Sequence, residues 1–276
     1  MMTTLTSTTR RKNLVILRAG DNSLHPGWLA GGARDFDLLI SYYGNTENKH
    51  REAADLYEMR KGPKWSCIGD LLQARPELLD QYDAFWFPDD DLEANTTTLN
   101  RMFSFFHAFE LALAQPALTR DSYYSWDNLL QRDDYILRFV KFVEVMAPIF
   151  DRPSLKACLK SFGESRSGWG LDWLWPELVA KGRTDRIGLI DATPVKHTRP
   201  LGGDLYKNNP ELDPRLDEQA IIDKYSLHAQ RTIAKYELYG GVVRQGADLK
   251  DQISLGLRKL NSKRLQKRRA RQKAAR

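Results

Sequence analysis

Three short apolar runs, each closed by a glycine or a proline, limit what this chain can fold into. "NLVILRAG" at 13–20, "FDLLISYYG" at 36–44 and "YDAFWFP" at 82–88 are continuous rather than alternating, the pattern of strands buried on both faces. Such strands need helices to cover them, and the intervals supply candidates. "SCIGDLLQARPELL" at 66–79 offers Ser66 as a cap for a short helix, and "NTTTLNRMFSFFHAFELALAQ" at 95–115 opens on capping residues and keeps helical spacing up to Pro116. "YILRFVKFVEVMAPIF" at 135–150 is β-branched and aromatic, and reads as one further strand. "RPSLKACLKSF" predicts a helix started by Pro153, and "GWGLDWLWPELVAKG" a helix that Pro176 breaks or kinks. "RIGLIDATPVKH" at 186–197 closes the series as a last strand. Strands alternating with helices predict an α/β fold with a single mixed sheet flanked by helices. From about Asp213 an amphipathic helix, the stretch "YELYGGVV" and a basic helix suggest a C-terminal helical extension. The expected organisation is a disordered segment 1–12, one α/β domain 13–212 and the extension 213–276.

With 276 residues and 42% hydrophobic content the chain can bury a normal core. Its longest apolar runs fall far short of the roughly 20 residues that span a bilayer. The apolar run behind "MMTTLTSTTRRKN" is too short for a signal-peptide core, so a cytoplasmic protein is expected. Cys67 and Cys158 have no metal-like spacing, which argues against a thiolate zinc site or a disulfide scaffold. The net charge of +6 is concentrated in residues 258–276, where ten Lys or Arg occur without one Asp or Glu. The rest of the chain is net negative. Nucleic-acid capture would therefore rest on the tail alone and is disfavoured, whereas an anionic membrane surface, at the inner face of the membrane, is a partner such a tail can take.

Asp89, Asp90 and Asp91 follow the third apolar run directly. Ligands of open α/β sheets gather beyond the carboxyl ends of the strands, so the triplet falls where a site belongs. On extended backbone Asp89 and Asp91 point the same way and can converge on one cation. Carboxylates suit Mg²⁺ or Mn²⁺, whose coordination is commonly completed by substrate phosphates. A helix cap would account for one carboxylate, but not for three.

Taken in order, "RAGDNSLHPGWL", "GPKW", "YDAFWFPDDDL", "QPALTRDSYYSW", "FVEVMAPIFDRPSL", "GWGLDWLW" and "HTRPLGG" resemble the family called domain of unknown function number 707, over about residues 13–203. Members look like glycosyltransferases of the A-type fold, a nucleotide-diphospho-sugar transferase-like α/β sheet with a metal-holding Asp-x-Asp motif. The resemblance implies that Asp91 ligates the metal, with Asp89 and Asp90 shared between metal and ribose. It places Arg18, Asp21 and Ser23 in a loop that touches base or ribose, while Arg18 or Lys64 would neutralise the diphosphate. His197, after the last strand, would be a third metal ligand. Asp172, at a helix start behind the acceptor site, would be the base, with Glu144 its rival, and Trp169 and Trp173 would stack on a sugar or base. His25 and His107 have weaker claims.

The implied activity is metal-dependent, inverting transfer from a nucleoside diphosphate sugar to a hydroxyl of a glycan or lipid-linked acceptor. The alternatives are a non-catalytic nucleic-acid-binding or membrane-surface protein working through the basic tail, and a metal-dependent phosphohydrolase, which a missing second ligand cluster disfavours.

Overall fold

The computed structural model describes residues 11–200, 213–228 and 238–244. The basic tail 258–276 and most of the expected N-terminal disorder lie outside them. The sheet is built outward from β1 (Asn13–Ala19), every residue of which is buried. β1 lies parallel between β2 (Phe36–Tyr42) and β4 (Ala84–Trp86), with Asn13 in register with Phe36 and Ala84, and β3 (Leu56–Met59) extends that side in parallel.

Beyond β4 the sheet becomes mixed. β8 (Ile149–Asp151) runs antiparallel to β4, and β6 (Leu113–Leu118) runs antiparallel to β8. β9 (Ile187–His197) is parallel to β6, β7 (Tyr135–Val140) is antiparallel to β9, and β10 (Leu238–Val243) closes the edge against β7. The order is β10-β7-β9-β6-β8-β4-β1-β2-β3, and the two-residue β5 (Leu92–Glu93) pairs with β9 off this path. The result is a single mixed sheet in which only β7 and β8 run against the main direction of that path.

The helices are α1 (Lys64–Ala74), α2 (Glu77–Gln81), α3 (Thr96–Ala108), α4 (Arg152–Cys158), α5 (Leu171–Ala180) and α6 (Pro214–Tyr225). Asn95 caps α3 by accepting from the Thr98 amide, and Asp151 caps α4 by accepting from Ser154, each satisfying a donor that a helix start leaves without an intrahelical partner. Trp65, Phe87, Phe150, Phe162 and Trp175 interlock edge to face, with Trp65 and Trp175 centroids 4.7 Å apart. Cys67 and Cys158 are buried free thiols.

Four expectations need correction. The helix read as running to Pro116 ends at Ala108, and the residues after it form β6 with Pro116 inside. A register shift after Pro116 absorbs the missing donor. The single strand read over 135–150 is two strands, β7 and β8, joined by a loop that carries Glu144. Pro176 does not break α5, although it has no N–H to give the carbonyl of Asp172 four residues before it. Finally, the segment beyond 213 is not purely helical. α6 packs on α5, and β10 joins the sheet as an edge strand.

Candidate functional site

The chain segments leaving β1, β2, β4 and β9 converge at one end of the sheet, and each of the three aspartates there has its own protein cation. Lys64 Nζ stands 2.6 Å from Asp89 Oδ1, Arg199 Nη1 2.9 Å from Asp90 Oδ1, and His197 Nε2 3.1 Å from Asp91 Oδ2. This resolves the repulsion that three adjacent carboxylates would otherwise suffer.

Backbone pairing places each one. The Asp89 amide donates to Met146 O, continuing the β4–β8 ladder. Asp90 accepts from the Gly20 amide and the Tyr43 hydroxyl, so it fastens the ends of β1 and β2. Asp91 is set opposite His197 by the β5–β9 pairing of Leu92 with His197, and its carbonyl accepts both the amide and the hydroxyl of Thr198. Asp89 is the open member, its side chain 42% exposed, yet it is recessed enough that burial, aided by Asp91 and countered by Lys64, raises its pKa.

His197 bridges two elements: Nδ1 faces the Tyr123 carbonyl at 2.8 Å while Nε2 faces Asp91. Burial alone would lower its pKa, but the hydrogen bond and charge of Asp91, with Tyr123 O, outweigh that and raise it to about 9. The second oxygen of Asp91, Oδ1, is buried with no hydrogen-bond partner. An orphaned carboxylate oxygen beside an imidazole and a second aspartate fits Mn²⁺ or Mg²⁺ in donor chemistry. Asp89 and His197 have suitable atoms, but Lys64 and Asp91 already engage them. Among the described residues no group of three or more His, Cys, Asp or Glu stands assembled around an ion.

Next to this cluster lies a pair of carboxylates. Glu144, on the β7–β8 loop, feels His197, Asp89 and Lys64, and Asp172 feels Glu144 and Glu218. Burial pushes Glu144 up to about 7, opposed by a hydrogen bond from Ser125 and by His197. It pushes Asp172 up to about 8, reinforced by Glu144 and Glu218. Asp172 sits in the first turn of α5 and accepts from the Gly170 amide at 3.2 Å. Gly170 is required there: its φ is +92°, and a Cβ would lie 2.7 Å from Ile221 Cβ of α6.

The other expected residues are placed as follows. Arg18 is buried and donates to Ser41 Oγ and to the carbonyls of Arg60 and Gly62, so its charge is committed to joining the ends of β2 and β3. Lys64 is engaged by Asp89 and the Val145 and Met146 carbonyls, which makes it a staple between α1 and the β7–β8 loop. Asp21 lies beyond the end of β1, where Tyr42 and the Asn45 amide hold its carboxylate well below the usual range. Ser23 is tucked against His25 Nδ1. His25 is fully buried, and burial with His50 nearby lowers it to about 4. His107 bonds Asn13 and is structural. Trp169 is 40% exposed in the loop before Asp172, whereas Trp173 is buried with its indole N–H on Glu218.

Sequence reasoning passed over Arg199, Tyr43 and Ser125. Arg199 stands in "HTRPLGG", two residues after His197, so only its pairing with Asp90 was hidden. Tyr43 is 38% exposed, with the Arg18 guanidinium 5.6 Å from its ring centroid.

A family model described as "Protein of unknown function (DUF707)" matches residues 138–235, a span that holds Glu144, Asp172, His197 and Arg199. The resemblance to DUF707 is borne out over the part of 13–203 that this match covers, residues 138–203. No curated protein matches the sequence. Among solved structures, the chain is similar to a crystal structure of S. aureus TarS, at 11% identity and a TM-score of 0.47, covering 79% of this chain and 43% of that one. It is also similar to S. aureus TarS 1-349 in complex with UDP-GlcNAc, at 13% identity and a TM-score of 0.48, covering 91% of this chain and 79% of that one. A third, A197 from STIV, has 14% identity and a TM-score of 0.36, covering 68% and 86%. The chain thus spans less than half of the longer TarS structure. Among the described residues no helix is long and apolar enough to cross a membrane.

Proposed function

We propose that the chain is a glycosyltransferase that moves a sugar from a nucleoside diphosphate sugar to an acceptor hydroxyl, with inversion. The observation that carries this reading is the adjacency of a cation-matched aspartate–histidine cluster and a carboxylate pair held near neutral pKa. The first suits a diphosphate, and the second suits removal of a proton from a hydroxyl.

Asp91, Asp89 and His197 would hold Mn²⁺ or Mg²⁺, which when bound neutralises charge on the leaving diphosphate. Arg199, 41% exposed on its side chain, adds a positive charge at the same end. The exposed Tyr43 ring offers a face for the base, and Asp21 an acceptor for ribose hydroxyls.

Glu144 and Asp172 titrate as a pair. Asp172, the base expected from sequence, keeps its proton near pH 7, so Glu144 is the member able to accept one. The acceptor oxygen attacks the anomeric carbon from the face opposite the diphosphate, its proton passes to the Glu144 carboxylate, and the bond from anomeric carbon to diphosphate oxygen breaks. Lys64 does not take part beyond holding Asp89 and the β7–β8 loop in place.

The test is a thermal-shift and calorimetric titration of the full chain with UDP, GDP and their sugars, in Mn²⁺ and in EDTA. Nucleoside diphosphates should bind in Mn²⁺, more weakly in EDTA and not to Asp91→Asn. Failure of every nucleoside diphosphate and nucleoside diphosphate sugar to bind, with or without metal, would sink the reading.

A further inference from the structure

β10 is the outer strand of the sheet beside β7, and its sequence, LYGGVV, holds no charge and no proline. Edge strands are commonly blunted by such residues. Seven large hydrophobic side chains are exposed among the described residues, and three of them, Leu238, Tyr239 and Val243, sit on these six positions. Apolar exposure this concentrated marks a contact surface.

Strand direction fixes where that surface lies. β10 is antiparallel to β7 and β7 to β9, so β10 runs with β9, whose last residue is His197. Val243 and Arg244 therefore stand toward the end of the sheet at which Asp89, Asp90 and Asp91 meet their cations. The Arg244 amide is bonded to Asp134 O. The carboxylates of Asp133 and Asp134 are matched by Arg120 and Arg132, so these two add no net negative charge beside the exposed Arg244.

The chain continues from this end. Residues 245–257 join β10 to the run 258–276, whose ten Lys or Arg stand without one Asp or Glu. An exposed apolar strand and a strongly cationic segment thus belong to one stretch of chain. A nucleic acid would answer the cations and leave Leu238 and Val243 in water. A second copy pairing along β10 would cover the apolar side chains and leave the cations unanswered. An anionic lipid surface meets both, because its phosphates attract Lys and Arg while the boundary between headgroups and acyl chains takes Leu, Val and Tyr.

We propose that β10 and the run 258–276 together dock the protein on an anionic membrane surface, with the β10 edge at the lipid boundary and the aspartate–histidine end of the sheet turned toward the headgroups. This docking does not depend on the sugar-transfer reading. It places whatever reaction the cluster carries out beside lipid headgroups.

The test is sedimentation of the full chain with vesicles of phosphatidylcholine alone and of phosphatidylcholine mixed with phosphatidylglycerol, at low and high salt. Binding should require the anionic lipid and fall with salt. Lys267→Gln/Arg268→Gln/Arg269→Gln should weaken it by about tenfold or more. Leu238→Ser/Val243→Ser should weaken it about tenfold while circular dichroism stays that of the wild type. Cys67 and Cys158 are buried, so one added thiol can carry an environment-sensitive dye. On Val243→Cys its emission should shift to the blue with anionic vesicles. On Met59→Cys, exposed on β3 at the far edge of the sheet, it should not. Equal binding to neutral vesicles, unchanged binding in either set of variants, or the same dye shift at both positions would each overturn the proposal. So would a shift on Val243→Cys that grows with protein concentration without vesicles, the mark of a second copy, or an equal shift with double-stranded DNA in their place, the mark of a nucleic acid. Vesicle binding without nucleotide binding upholds the docking and removes the transfer reading, and the reverse removes the docking alone.

Discussion

His197 Nε2 and Asp91 Oδ2 stand 3.1 Å apart although 106 positions separate them in the chain. The pairing raises the histidine's pKa to about 9, against an ordinary value of 6.5. A group raised on folding contributes stability that is fully present below about 6.5 and is lost as pH rises through about 9. In metal-free buffer the melting temperature should therefore fall across that window. The full effect is about 3 kcal/mol, from roughly 1.4 kcal/mol per pKa unit. Melting curves of His197→Gln at pH 6 and pH 9.5 should differ less than those of the wild type.

Asp172 behaves in the opposite sense. Its pKa is raised from 3.8 to about 8 by burial and by Glu144 and Glu218, so ionising it costs the fold stability. The cost is absent below about 4, grows as pH rises toward 8, and is constant above. Asp172→Asn keeps an oxygen for the Gly170 amide and should be more stable than wild type above pH 7, by about 2 kcal/mol or more. Equal melting temperatures at pH 8.5 would contradict this.

Gly170→Ala should damage fold and activity together. The left-handed φ costs a non-glycine residue roughly 1 kcal/mol, and overlap with Ile221 roughly 1–3 kcal/mol more. Gly163→Ala, with no atom within 4 Å of the added methyl and no positive φ, is the control and should melt as wild type. Circular dichroism melts separate the two.

Arg138 and Asp191 form a two-pronged ion pair inside the sheet, with side chains 6% and 0% exposed. Arg138→Met strands a buried carboxylate and should cost roughly 3–5 kcal/mol. Pairing it with Asp191→Leu removes the stranded charge and should recover most of that loss in urea denaturation.

The strands at 13–19, 36–42 and 84–86 were legible because they are buried on both faces and so are continuous in sequence. β6 was not, since "ELALAQPAL" satisfies a helical period until tertiary packing draws it into the sheet. Likewise "YILRFVKFVEVMAPIF" has uniform strand-like composition, and only its two antiparallel neighbours, β9 and β4, reveal that it turns back in the middle. Asp89–Asp91, Asp172 and His197 were legible as candidate residues. Their cations were not, because Lys64 lies 25 positions from its aspartate and Arg199 lies 109 from its own, distances across which sequence spacing has no meaning. The proposed role of Glu144 as base is equally invisible in a sequence, since it depends on which carboxylate is buried deeper and which one a serine reaches.

The two-residue ladder between β5 and β9 sets the order in which the protein can be completed during synthesis. When the aspartate triplet leaves the ribosome, Lys64 is already made, but His197 and Arg199 are more than a hundred residues away. β9 also has to enter the sheet between β7 and β6, which precede it. A nascent chain halted before residue 187 thus carries two uncompensated aspartates and an open inner edge, a species prone to aggregate. One late strand joins the two parts of the sheet and brings His197 to Asp91 in the same event, with Arg199 two residues behind it.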